Sequence, residues 1–180
     1  YERLQRAIRE ETAFLTCTSH GTPGDLDWWL YIEDDPEAKL RSMPLWLIDD
    51  RVVAWGFEMK GEYDLFVGPE RYDLLPSMIA WAESAKRAAG ATEMDLFVND
   101  ADLERQAIHA AAGFTRAEPH FTLRQFPLDG ALPVPQLPDG YAFRDMTTVA
   151  GDDLERRVEL HRVVWHPSRW TAAKHARLMQ

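Results

Sequence analysis

The chain has 180 residues, of which 46% are hydrophobic and 28% are charged, so one domain, or one domain and part of another, can form with a packed core. Its formal net charge of −10 excludes the usual nucleic-acid binders, which present a basic face. The single cysteine, Cys17, excludes an internal disulfide, no Cys/His cluster has zinc spacing, and no apolar run approaches the roughly 20 residues that cross a bilayer. We expect a soluble, cytoplasmic protein with no metal, no nucleic-acid partner and no membrane partner.

Two helices are predicted near the N-terminus. Leu4 and Ile8 stand at helical spacing among charged residues, a pattern typical of an amphipathic helix. Asp25 is placed to cap a second, short helix that carries Trp28 and Trp29. Adjacent tryptophans serve either as packing anchors or as the wall of a ligand cleft, and the sequence leaves both readings open.

The next segment has the clearest β pattern. Apolar runs at residues 45–48 and 52–57 are joined by Asp49 and Asp50, which predicts a hairpin with a tight two-residue turn. The run "YDLFVG", residues 63–68, predicts a third strand, and its continuous apolar character indicates burial on both faces.

A long helix is predicted from Leu74 to Ala89, with one apolar stripe and Gly90 as its stop. Pro76 is tolerated only in a first turn, so the helix should begin within a residue or two of Leu74.

The chain then alternates between predicted strands and a helix. The run "TEMDLFV", residues 92–98, reads as a strand, and Asn99 and Asp100 offer caps for a helix that Gly113 ends. Residues 114–128 read as a last strand with alternating apolar residues. The predicted fold class is α/β, with a mixed, mostly antiparallel sheet flanked by helices.

Composition divides the chain into three parts. Residues 129–140 are rich in proline and glycine and read as a linker between a first domain, residues 1–128, and a second, residues 141–180. The second part opens with a strand-like run and an amphipathic helical run that carries Leu154, Val158, His161 and Trp165 on one side. It stops within a helical pattern, so we expect the start of a truncated domain.

Three consecutive patterns resemble the GNAT superfamily, the N-acetyltransferases that use acetyl-coenzyme A. They are "LFVGPERYDLLPSMIAWAESAKRAAG", "TEMDLFV" and "NDADLERQAIHAAAGF", and the resemblance covers about residues 43–128. From residue 137 the sequence resembles the first strand and helix of another GNAT domain. The chain is therefore similar to a piece of a tandem-GNAT protein.

The resemblance implies a coenzyme A site at the third strand and the turn after it. Leu65, Phe66 and Val67 would pair with the pantetheine arm, and the loop that carries Arg71 and Tyr72 would hold the pyrophosphate on its N–H groups and at the helix N-terminus. Arg71 can equally be an ordinary surface cation.

The loop departs from the family pattern, which has an Arg-Gly pair and a further glycine. After Pro69 this chain carries Glu70 and Asp73, which add negative charge, and Pro76, which removes a backbone donor. We predict that the loop is degenerate and that the first domain does not bind coenzyme A.

Candidate catalytic residues follow from the same resemblance. His109 falls where many relatives hold the tyrosine that protonates the leaving thiolate, and a histidine can donate a proton near neutral pH; it can also be a half-buried packing residue. Asp102 falls where relatives often hold an asparagine. Glu62 is the candidate base, with Glu58 and Asp64 nearby, and all three also fit solvated carboxylates.

Two functions of different classes fit this sequence. The first is an acetyl-CoA-dependent N-acetyltransferase that acts on a small-molecule amine, with a non-catalytic first domain. The second is a non-catalytic GNAT-fold scaffold, or a module that binds a small ligand in a tryptophan-rich cleft. A homodimer is left open.

Overall fold

The computed structural model describes residues 1–14, 21–59, 61–119, 130–131, 134–143 and 151–179. They belong to two compact units, Tyr1–Glu118 and Pro119–Gln180. The predicted domain boundaries at residues 128 and 140 stay predictions, because residues 120–129 lie outside the described part.

In the described residues, three helices precede a small three-stranded sheet, and the remaining helices follow it. In the first unit, the helices are α1 (Glu2–Phe14), α2 (Pro23–Tyr31), α3 (Pro36–Ser42), α4 (Leu75–Ala88) and α5 (Leu103–Ala111), and the strands are β1 (Leu45–Ile48), β2 (Arg51–Met59) and β3 (Glu62–Val67). A 3₁₀ helix, Pro69–Leu74, joins β3 to α4. The second unit contains α6 (Asp152–Val164) and α7 (Ala172–Leu178). The mixed α/β class with an antiparallel sheet is confirmed.

The sheet is antiparallel, in the order β1-β2-β3. Asp49 and Asp50 have φ values of 48° and 64°, the positive φ that a two-residue hairpin turn needs, so the predicted hairpin is confirmed. The β1–β2 register shifts between Trp46 and Leu47, and the β2–β3 register places Gly56 opposite Leu65.

Side-chain alternation gives the sheet two covered faces, as predicted for β3. The α4 cluster contains Ala54, Tyr63, Leu65, Val67, Tyr72, Leu75, Met78, Ile79 and Ala82. The α1/α2 cluster contains Leu4, Ile8, Leu26, Leu30, Met43, Trp55, Phe57 and Phe66. Each fully buried large apolar side chain contributes about 1.5–3 kcal/mol. These two clusters therefore hold the sheet between helices.

Gly56 lies at the centre of β2 and faces α4. A Cβ atom at this position would lie 2.8 Å from the Pro44 ring and 2.9 Å from the Trp81 ring. The bare backbone thus lets α4 approach the sheet closely.

The N-terminal caps of α2 and α5 differ from the prediction, and helix α3 was not predicted. Thr22 caps α2, and Asp25 closes a capping box from the third helical position, because its carboxylate accepts the Thr22 N–H at 2.8 Å. Helix α3 was missed although Asp35 before Pro36 is a start signal: the Asp35 carboxylate accepts the Ala38 N–H at 2.9 Å.

The strand predicted at residues 92–98 is wrong. This segment makes one isolated parallel bridge, between Leu96 and Tyr63, and Met94 and Leu96 pack on the α4 cluster. Side-chain packing, rather than a ladder of backbone bonds, holds it beside β3. Asp102, and not Asn99 or Asp100, caps α5, because its carboxylate accepts the Arg105 N–H at 3.0 Å.

In the second unit, the predicted helix is confirmed as α6. Val158 and His161 are buried as expected, whereas Trp165 is exposed. Residues 141–143 form no strand, and residues 144–150 and the last predicted strand at 120–128 lie outside the described part. The described residues of the predicted linker form neither helix nor strand.

Candidate functional site

The residues predicted for coenzyme A lie where β3 runs through the 3₁₀ helix into α4. The resemblance implies a loop here whose N–H groups are free to bind a pyrophosphate, but a 3₁₀ helix begins directly after Gly68, and the Arg71 N–H donates to the Gly68 carbonyl at 2.9 Å. Pro76 lies in the first turn of α4, as predicted. Because the Arg71 amide bonds inside the turn, it does not face outward as a donor for an anion.

Glu70 fills the space beside Gly68. A Cβ placed on Gly68 would lie 2.5 Å from Glu70 Oε1 and 2.6 Å from Oε2, so the carboxylate folds back over the glycine. Gly68 is the only glycine in the turn between β3 and α4, where the resemblance places the pyrophosphate. A carboxylate there brings both a steric block and a negative charge.

Arg71 is held by its own loop. Its Nε and Nη2 atoms donate to the two oxygens of Asp73, each at 2.8 Å, in a bidentate pair. This hydrogen bonding lowers the pKa of the Asp73 carboxyl. The predicted phosphate ligand is therefore paired with a neighbouring carboxylate, and a phosphate would have to displace it.

Tyr72 points inward rather than toward solvent. Its side chain is buried in the α4 cluster, and its hydroxyl donates to Asp102 Oδ2. Burial, together with the bond to Asp102, raises the pKa of Tyr72. Tyr72 thus ties the 3₁₀ helix to the start of α5.

Arg105 lies against the outer edge of β3, the edge away from β2. Its Nη2 atom donates to the Leu65 carbonyl at 2.5 Å, and the side chain is buried. Leu65, Phe66 and Val67, the residues predicted to pair with pantetheine, have buried side chains. The edge that would accept a pantetheine amide is closed at Leu65 by a guanidinium.

No sequence signal identified Arg105 in advance. An arginine within the charged pattern of an amphipathic helix reads as a solvated residue. Its burial results from contact with a strand 40 residues away in sequence.

His109, the candidate proton donor, is buried one turn after Arg105. Its Nδ1 lies 2.8 Å from the Arg105 carbonyl, so Nδ1 carries the proton and Nε2 is bare in the neutral ring. Nε2 is buried and has no hydrogen-bond partner among the described residues. Burial is the main cause that lowers the pKa of His109, and its ring lies 5.7 Å from that of Phe114. These contacts favour the packing interpretation, because a neutral ring has no Nε2 proton to donate.

The three candidate bases have different surroundings. Glu62 is exposed. Glu58 accepts from Lys39 Nζ and from the Gly61 N–H, each at 2.6 Å; burial opposes the effect of these bonds, but the pKa of Glu58 is lowered.

Asp64 is the carboxyl group best suited to proton exchange near neutrality. Burial raises the pKa of Asp64 to about 6, against the opposing effect of Arg105 and with a smaller upward contribution from Glu62. The sequence did not separate Asp64 from its neighbours, because burial of one carboxylate in a row depends on tertiary packing.

Four of the tryptophans, Trp29, Trp46, Trp55 and Trp81, pack against other aromatic rings on the two faces of the sheet. Trp55 stacks on Phe66 with ring centroids 3.8 Å apart, and Trp29 packs 5.3 Å from Phe57. On the other face, Trp46 and Trp81 meet edge to face at 6.1 Å. These ring-on-ring contacts are typical of packing anchors.

The residues present do not fit acetyl-CoA in the way the resemblance implies. The Glu70 carboxylate covers Gly68, and Arg71 is paired with Asp73. The edge of β3 is closed at Leu65 by a hydrogen bond from a buried arginine. Within the described ranges, no group of three or more His, Cys, Asp and Glu side chains could hold a metal ion. None of the helices in those ranges combines the length and apolar character needed to cross a bilayer.

No family model matches this chain, and no curated protein or solved structure shows a significant match to it.

Proposed function

We propose that residues 1–118 are a non-catalytic, GNAT-like module of an acetyl-CoA-dependent N-acetyltransferase. In this proposal the protein is cytoplasmic, the acceptor is a small-molecule amine, and acetyl transfer takes place outside this unit. The observation that carries the proposal is the Glu70 carboxylate folded over Gly68. In this conformation the carboxylate occupies the space beside Gly68 that a pyrophosphate would need, which supports a degenerate coenzyme A loop.

Electrostatic repulsion opposes the binding of a pyrophosphate at this loop. A pyrophosphate bound here would face Glu70 and Asp73, and each pair of like charges about 4 Å apart costs ~1 kcal/mol in water and several times more where water is excluded. Arg71 cannot offset both carboxylates while it is paired with Asp73. Screening in these exposed surroundings reduces the electrostatic costs, and the steric block lasts only while the exposed Glu70 side chain keeps this rotamer.

Isothermal titration of the purified chain with acetyl-CoA tests the proposal. We expect no heat of binding at ligand concentrations up to about 1 mM, a limit that corresponds to about −4 kcal/mol of binding free energy. Micromolar binding by the unmodified chain would contradict the proposal.

Two variants separate the effect of the Glu70 charge from the effect of its side-chain volume. Glu70→Gln keeps the side-chain volume and removes the charge, whereas Glu70→Gly removes both. If the steric block dominates, Glu70→Gly should increase acetyl-CoA affinity more than Glu70→Gln does. The exposed Glu93, changed to Gly in the same way, is the matched control and should leave affinity unchanged.

A further inference from the structure

Trp170 of the second unit is packed against two buried histidine rings. Only 1% of its surface is exposed. Its ring centroid lies 5.2 Å from that of His161, on α6, and 6.2 Å from that of His175, on α7. The two histidines are 7% and 8% exposed. In the described part of this unit, the packing of α6 and α7 around one tryptophan therefore includes two groups that can take up a proton.

His175 has a buried ring nitrogen without a hydrogen-bond partner. Its Nε2 atom has none among the described residues. The neutral ring tolerates this, because one of its nitrogens is bare. In the charged ring both nitrogens carry a proton, so Nε2 would become a buried donor without an acceptor. The Trp170 ring attracts a cation, but this attraction is weaker than the cost of removing water from a charge. The packed unit therefore opposes protonation of His175.

His161 is held by a serine in the segment that joins the two helices. Its Nδ1 lies 3.0 Å from Ser168 Oγ, and the Trp170 N–H donates to the same oxygen at 3.2 Å. Because that oxygen already accepts one hydrogen bond, the hydroxyl proton can be donated to a bare Nδ1 of the neutral ring. A proton added at Nδ1 would remove this acceptor, and the hydroxyl would have to turn away.

The charged groups nearest to the two rings are positive. Burial, and to a smaller extent Arg157 of α6, lowers the pKa of both His161 and His175. On α7, Lys174 is buried next to His175 in the chain, and Arg177 also lies in the last turn. None of the carboxylates in the described residues contributes to either pKa shift. A proton added to these histidines would therefore meet like charges.

The other titratable groups of this region lie toward solvent. Asp153 of α6 is half-buried and faces Arg156, whose Nη1 atom is 3.8 Å away. The remaining ones on α6 and on the segment after it are exposed: Asp152, Glu155, Arg156, Glu159, Arg162, His166 and Arg169. Because solvent screens exposed charges, these groups compensate little for a charge on a buried ring.

We propose that the α6–α7 pair is a pH-sensitive element, closed while His161 and His175 are neutral and opened, with Trp170 exposed, when they take up protons in mildly acidic solution. The opened state binds these protons more tightly than the closed state does, so the closed state loses stability as pH falls below about 6.5. Above that pH the two histidines add no penalty. The proposal does not depend on the function proposed for the first unit.

Amide hydrogen exchange of the full chain, followed by mass spectrometry, measures this opening. After correction for the intrinsic exchange rate, peptides from α6 and α7 should lose protection at least about threefold between about pH 7.5 and about pH 5. Peptide resolution separates this response from that of His109 in the first unit.

A double variant, His161→Asn with His175→Phe, removes both ionisable rings. The asparagine keeps an acceptor for Ser168, and the phenylalanine keeps a ring beside Trp170, so the variant should lose the pH response and keep its protection near neutrality. His166→Gln, at an exposed histidine of the same segment, is the matched control and should respond as the wild type does.

The proposal is overturned if protection of α6 and α7 does not fall in acid, or if it falls equally in the double variant. Should the double variant be unprotected near neutrality, the wild-type chain decides. Its histidine C–H resonances, followed by NMR as a function of pH, should give midpoints for His161 and His175 below the ordinary value of about 6.5. Midpoints at or above that value would overturn the proposal without any variant.

Discussion

The two edge strands of the sheet differ in what lies along their outer sides. At β3, the Arg105 guanidinium binds the Leu65 carbonyl, and Leu96 bridges Tyr63. At β1, described residues leave the outer edge without a partner strand, and Leu45 and Leu47 are exposed. The closed edge is the one where the GNAT resemblance places coenzyme A.

At β3, a buried arginine side chain closes the sheet edge in place of a strand. A buried arginine needs partners, since an unpaired buried charge is costly. A chain of contacts supplies rigid support here: Tyr72 bonds Asp102, and Asp102 caps the helix that carries Arg105. Removing the Arg105 side chain, or the contacts that support it, should therefore destabilise the first unit.

Arg105→Met should lower the free energy of unfolding by about 3 kcal/mol, because the Leu65 carbonyl loses its donor and Asp64 loses a nearby positive charge. Urea denaturation followed by circular dichroism measures the loss. Arg116→Met, which removes an exposed ion pair with Asp100, is the control and should cost less than about 0.5 kcal/mol. Equal losses in the two variants would mean that Arg105 does not close the edge.

The Asp64 carboxyl should make stability fall as pH rises. Its pKa is raised from 3.8 to about 6, so the folded state binds the proton more tightly than the unfolded state does. This group adds no term below about pH 4, a growing penalty between pH 4 and 6, and a constant penalty above, of about 2 kcal/mol after allowance for partial exposure.

Comparing the wild-type chain with the Asp64→Asn variant isolates the pH-dependent contribution of Asp64 to the free energy of unfolding. His109 acts in the opposite direction, because burial lowers its pKa and its protonation favours unfolding, but it is present in both chains and cancels in the difference. Urea denaturation of both chains between pH 4 and 7 should show the wild type losing stability relative to the variant as pH rises. A parallel pair of curves would contradict the burial of Asp64.

Tyr72→Phe should cost about 1–2 kcal/mol, because Asp102 loses the hydroxyl that it accepts from. Urea denaturation measures the loss, and Tyr141→Phe, at an exposed tyrosine, should be neutral. A neutral Tyr72→Phe would show that the link from the 3₁₀ helix to α5 carries no stability.

Asp73→Asn should have the smallest effect, no measurable change in melting temperature, because the Asp73 carboxylate that pairs with Arg71 is 62% exposed to solvent. Differential scanning calorimetry measures it, with Glu37→Gln at another exposed ion pair as control. A fall of several degrees in Asp73→Asn alone would mean that this pair holds the 3₁₀ helix together.

The sequence predicted the elements whose causes are local. Asp49 and Asp50 specify a tight turn, the apolar runs at residues 52–57 and 63–68 specify β2 and β3, and Pro76 locates the start of α4. Two signals were present but misread: Asp35 before Pro36 begins α3, and Thr22 with Asp25 forms a capping box.

The rest depends on contacts distant in sequence. An apolar run at residues 92–98 has the composition of a strand, but whether it joins a ladder depends on what occupies the neighbouring edge, and there Arg105 binds Leu65. At the candidate site, Glu70 and Asp73 were singled out from the sequence as departures from the family pattern. The sequence did not show that Glu70 folds over Gly68 or that Tyr72 turns inward, because both follow from the packed 3₁₀ helix.

The close contact at Gly56 limits which amino acids this position can accept. The Trp81 ring rests on the bare backbone at Gly56, and the same ring meets Trp46 of the edge strand. Even one added methyl group would push the indole outward and shift the strand beyond it. In a saturation-mutagenesis library selected for folded protein, codon 56 should therefore be almost invariant, while the edge itself remains free to diverge.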